Sequence, residues 1–156
     1  MRIAASAVLS LALAACATPP PGGLASVVTG PTRICLDRAA FTLPEGGTIV
    51  QAEQGSVGTH LVGRIGFDAF EITESGSFAA IPVDGSPIYQ GNGFAVRRVG
   101  DSMSSFAVYL GDGTEPGARP ITRIEHFFGT DSVTVEEFFG SFDPAGAAQG
   151  PCDRRF

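Results

Sequence analysis

Three cysteines, two histidines and no lysine delimit the chemistry open to this chain of 156 residues. Without lysine there is no amine for Schiff-base catalysis, and all ten cationic side chains are arginine. His60 and His126 are the two imidazoles. Glu125-His126 has the composition of an acid–base pair, but neighbours in a strand point to opposite faces, which places them poorly as a dyad. His126 is therefore read as a structural residue beside Phe127-Phe128. Histidines so far apart could meet and share a metal with a carboxylate, yet the sequence has no zinc-type spacing such as His-x-x-x-His. Asp112-Gly113-Thr114-Glu115 sets two carboxylates in a glycine-rich loop. It lacks the repeated aspartates and distal glutamate of a calcium loop, and reads as a solvated turn. Gly91-x-Gly93 lacks the third glycine of a dinucleotide loop, and there is no Gly-x-Ser-x-Gly elbow. Glu136-Glu137 is a nominal carboxylate pair for sugar hydrolysis, but a position in the first turn of a helix explains the charge better. The expectation is a chain with no catalytic residue, no cofactor and no metal ligand of its own.

The elements that would position these groups are mainly strands. Ala39–Leu43 and Thr48–Ala52 flank a Pro44-Glu45-Gly46-Gly47 turn. Leu61, Gly63, Ile65, Phe67 and Ala69 alternate as in a half-buried strand, and Phe70 and Ile72 change parity, which predicts a bulge or bend near Asp68. Phe78–Pro82 offers a further strand. Asn92-Gly93 lies between Ile88–Gln90 and Phe94–Val96 and predicts a type I′ hairpin turn, since both residues tolerate positive φ. Ser105–Leu110 and Ile121–Phe127 follow, joined by the loop Gly111–Gly117. Near the end, Thr134-x-x-Glu137 forms a capping box, and Val135, Phe138, Phe139 and Phe142 make one apolar helical face that stops at Asp143-Pro144. The predicted fold is mainly β, an antiparallel sandwich or small barrel with one short C-terminal helix.

The net charge of −6 and the short, isolated doublets Arg97-Arg98 and Arg154-Arg155 exclude a nucleic-acid surface, which needs clustered cations against phosphate. They equally argue against electrostatic docking on anionic lipid. The terminal Phe156 does not signal an outer-membrane barrel, because the long lipid-facing alternation of such barrels is missing.

The opening of the chain carries the most specific motif. Met1-Arg2 is a positive end, and Ile3–Ala15 is apolar except for Ser6 and Ser10. That run has the length of a signal h-region and is too short to span a bilayer as a helix. Leu13-Ala14-Ala15-Cys16 resembles the lipobox of bacterial lipoproteins, cut before the cysteine by signal peptidase II. The resemblance implies a signal peptide over 1–15, diacylglycerol on the Cys16 thiol and acylation of its new amine. More than one acyl chain makes attachment stable. Ala17 rather than Asp after the cysteine implies, in a two-membrane cell, the outer membrane, with the domain facing the periplasm. Residues 16–31, with Pro19-Pro20-Pro21-Gly22-Gly23, read as a lipidated spacer, and 32–156 as a single domain whose start falls between Ser26 and Arg33.

In an exported protein the remaining pair, Cys35 and Cys152, predicts a structural disulfide; without Cys-x-x-Cys or an adjacent base, it is not read as a redox site. The leading functional expectation is a non-enzymatic envelope module, held on the membrane through Cys16, that binds or supports another envelope protein. Small disulfide-bearing β lipoproteins that inhibit lysozyme are similar in size and anchor, which implies an inhibitor as one alternative. A hydrolase whose residues assemble only in the fold is the other.

Overall fold

The apolar–polar alternation resolves into eleven strands in a computed structural model, which describes residues 27–81, 86–127, 137–144 and 150–156. They are β1 (Val28–Thr29), β2 (Thr32–Cys35), β3 (Ala40–Leu43), β4 (Gly47–Gly55), β5 (Gly58–Ile65) and β6 (Asp68–Ser75). After these come β7 (Tyr89–Gly91), β8 (Phe94–Arg98), β9 (Phe106–Leu110), β10 (Thr122–Glu125) and β11 (Arg154–Arg155). Eight form one antiparallel sheet in the order β1-β4-β5-β6-β10-β9-β8-β7, open at both edges and not closed into a barrel. A second sheet, β11-β2-β3, joins the two ends of the domain. There β11 lies parallel to β2, with Arg154 opposite Ile34, and Cys35 is bonded to Cys152 across 117 residues with their Cα atoms 5.8 Å apart. The mainly β class with a short helical piece is thus present, and so is the disulfide. β1 joins the large sheet at Val28, which pairs with Ile49.

One apolar cluster unites the two sheets. The large sheet contributes Leu61, Phe70, Ile72, Phe106, Val108 and Ile124, the small one Ile34, Phe41 and Leu43, and the helical turn at 137–140 adds Phe138 and Phe139. Phe138 is the hub: its ring centroid lies 5.0 Å from Phe127, 5.7 Å from Phe41, 5.9 Å from Phe70 and 5.3 Å from Phe142. Such offset and edge contacts add about 0.5–1.5 kcal/mol per pair beyond area burial. Room for the Phe70 ring comes from its cross-strand partner Gly63, where a Cβ would stand 2.4 Å from Phe70 Cζ and 2.7 Å from the Thr48 carbonyl oxygen. Thr134, the first residue of the expected capping box, lies outside the described residues with Val135 and Glu136, while its partner Glu137 begins the described turn.

Several local expectations are corrected. Leu61–Ala69 is not one bent strand but two, because Gly66 takes φ +62° and turns the chain, with Ile65 opposite Asp68. Phe67 at that turn is 97% exposed rather than part of a buried face. The bulge falls instead between Ile49 and Gln51 on β4. Phe78–Ile81 is irregular, and Pro82 lies outside the described residues. The Asn92-Gly93 hairpin forms, but only Gly93 has positive φ (+82°), so the turn is not of type I′. Arg97 is buried and Arg98 exposed, as alternation requires of a doublet.

Candidate functional site

At one end of the large sheet, the β4–β5 turn and the end of β6 meet the β2–β3 turn of the small sheet. A cavity of about 320 Å³ opens there, lined by Asp37, Arg38, Ser56, Val57, Glu74 and Ser77, among others. Glu74 shares the core-facing side of β6 with Phe70 and Ile72, four and two residues before it, and is 1% exposed. Its Oε1 accepts the Arg38 backbone N–H at 2.6 Å, and the Asp37 and Ala39 amides point at the same carboxylate. Burial nevertheless pushes its pKa above the ordinary value; the backbone donors oppose that shift, and the nearby Asp37 charge adds to it. The Arg38 guanidinium lies over Gly76, where a Cβ would be 2.4 Å from it, and Ser75 Oγ and Ser77 Oγ are 3.0 Å apart. The wall therefore combines a guanidinium, hydroxyls and two carboxyls, a set suited to polar ligands.

The outward face of the same sheet gathers the two histidines. His60 on β5 places Nε2 3.2 Å from Glu71 Oε2, and His126 places Nε2 4.0 Å from Glu71 Oε1. His126 reaches it because it leaves β10 with φ +59°, the one non-glycine residue with positive φ among those described. It is 63% exposed, so it is not the structural neighbour of Phe127-Phe128 that its sequence position suggested; Phe128 lies outside the described residues. Its acidic partner is Glu71, not the adjacent Glu125, which faces Arg123 at 3.5 Å. The cluster sets two imidazoles against one carboxylate, His60 within hydrogen-bond reach and His126 at ion-pair distance. It is not closed up as a metal site: among the described residues no group of three or more His, Cys, Asp or Glu could hold an ion.

No family model, curated protein or solved structure matches this chain. The remaining sites expected from the sequence are placed by geometry alone. Asp112 Oδ1 accepts both the Thr114 amide (2.9 Å) and its hydroxyl (2.7 Å), which holds its carboxyl below the usual range and makes this stretch a side-chain-closed turn. The Asp112 carbonyl accepts the Arg97 Nε–H at 2.6 Å, and Gly113 packs on the ring of Tyr109. Burial raises the pKa of Tyr109 against the opposing pull of Arg97 and Arg123. Glu137 begins the described helical turn, while Glu136 and Cys16 lie outside the described residues. Reasoning from sequence missed Glu74, although its place in the Phe70-x-Ile72-x-Glu74 alternation aims a carboxylate inward.

Proposed function

We propose that this chain is an exported lipoprotein, held on the cell envelope by lipid on Cys16, whose β domain binds another envelope component through the Asp37–Glu74 cavity. One observation carries the reading. Of three cysteines, two are spent on each other in the Cys35–Cys152 disulfide, and the third stands at the end of Leu13-Ala14-Ala15-Cys16, behind an apolar run of signal length. A disulfide of this kind suits an oxidising compartment. Outer-membrane placement follows from Ala17 by the same resemblance.

Intact-mass measurement of the native protein tests the anchor. The expected species begins at Cys16 and carries acyl mass, while the Cys16→Ser variant stays uncut and unlipidated. A native chain that begins elsewhere, or has a bare thiol at Cys16, overturns the reading. A photo-crosslinker at Ser77 in living cells tests the binding role: a discrete adduct is expected, and its absence removes that part.

A second reading, hydrolysis, rests on the convergence of His60 and His126 on Glu71. An ester or glycan hydrolysis that the protein performs and Glu71→Gln abolishes would establish it. No turnover by the wild-type chain would end it.

A further inference from the structure

Two large apolar side chains stand clear of the protein at the end of the large sheet opposite the cavity. Phe67 is 97% exposed and Met103 70%. The register puts them at one end. Ile65 pairs with Asp68 at the β5–β6 turn, Glu71 with Glu125, and Phe106 with both Ile124 and Arg98. The β5–β6 turn and the loop 99–105 therefore leave the sheet in the same direction. Both are built to hold their residue outward. The Ile65–Asp68 pairing fixes the turn around Gly66 and Phe67. In the loop, the Val99 amide donates to the Ser105 carbonyl at 2.9 Å, Ser102 Oγ to Ser105 Oγ at 3.1 Å, and the Ser104 amide to Ser102 Oγ at 3.3 Å. Turn tips ordinarily carry glycine, asparagine or aspartate, and a fully exposed phenylalanine there has no packing role. Val57, 70% exposed at the other end, differs in that it lines the cavity.

We propose that Phe67 and Met103 dip into the bilayer that carries the lipid on Cys16, so that the cavity end faces away from the membrane. This rests on the anchoring reading above. Chain length and position favour the bilayer as occupant. Residues 17–26 span at most about 36 Å when extended. The tether joins the sheet where Val28 pairs with Ile49 and Ile49 with Gly63. From residue 63 to residue 67 is about 13 Å along the strand, whereas from residue 49 to residue 57 is about 26 Å. The apolar tip is thus the end nearer the root of the tether. Because β1 runs antiparallel to β4, the tether sets out toward the cavity end, and its ten residues are long enough to double back to the tip. A chain of net charge −6 with no lysine would make this contact through apolar insertion. Zwitterionic lipid suffices for that, and added salt does not weaken it.

The chain has no tryptophan, so single reporters read the orientation directly. Phe67→Trp, Met103→Trp and Val57→Trp change exposed side chains and leave the core intact. Each mature, lipidated protein is reconstituted in phosphatidylcholine vesicles containing nitroxide-labelled lipid. The expected result is blue-shifted emission and several-fold stronger quenching at 67 and 103 than at 57, unchanged by salt. Protein that floats with the vesicles but shows equal or reversed quenching overturns the orientation and leaves the anchor standing. A blue shift at 67 that grows with protein concentration in the absence of vesicles assigns the tip to a second copy and overturns it too. Protein that carries no acyl mass and does not float overturns both.

Discussion

The small sheet is fastened to the large one by two unlike regions. On one side the phenylalanine seam around Phe41, Phe127 and Phe138 joins them without a polar atom. On the other, the Glu74 carboxyl of the large sheet catches the amides of the turn at 37–39. The seam gains from area and ring contacts, which tolerate small displacements. The latch gains from hydrogen bonds whose loss strands buried donors. The difference teaches that the seam supplies most of the stability, while the latch sets where the turn that lines the cavity must sit.

The largest break expected in this comparison is Phe138→Ala. It removes the hub ring from five aromatic neighbours and should cost about 3–5 kcal/mol by urea denaturation. A smaller loss would mean that the seam closes over the gap.

Next come two changes at the latch. Glu74→Ala, which leaves the turn amides without acceptors, should cost about 1–3 kcal/mol. Glu74→Gln keeps an acceptor oxygen and removes the charge. In the wild-type chain the folded Glu74 holds its proton to higher pH than the unfolded chain does. Its stabilising contribution is therefore complete below the ordinary value of 4.5 and is lost as pH rises through the raised value. Denaturation midpoints measured across that window should fall with pH in the wild type and less steeply in Glu74→Gln. Equal slopes would show that the carboxyl is not desolvated.

The smallest effect sharpens the contrast with a site on neither seam nor latch. His60→Gln severs a half-exposed contact with Glu71 and should change stability by no more than about 1 kcal/mol. A larger loss would make the histidine cluster a structural element.

Much of this frame was legible in the chain. The Phe138, Phe139 and Phe142 spacing announced a buried face, Asn92-Gly93 marked its hairpin, and Cys35 and Cys152 declared their bond. What escaped was set by backbone events too local for periodicity to carry. Gly66 reverses the chain inside an unbroken alternation, so Phe67 reads as core and emerges at a tip. His126 takes a positive φ that no flanking residue forecasts, and thereby leaves the register that separated it from every acidic partner. Glu74 could have been found, since a carboxylate in phase with Phe70 and Ile72 must either be satisfied inside or disrupt the strand. Its partners, main-chain amides from a turn more than thirty residues away, carry no signature in side-chain type.

The parallel pairing of β11 with β2 has a consequence for biogenesis. The strand that borders Thr32–Cys35 is contributed by Arg154–Arg155, with Cys152 just ahead of it. A nascent chain can zip the hairpins from β4 to β6 as they emerge, but the clasp stays incomplete until those late residues are delivered. Oxidation of the thiols would then act as a timestamp, marking molecules in which β11 has reached its place beside β2.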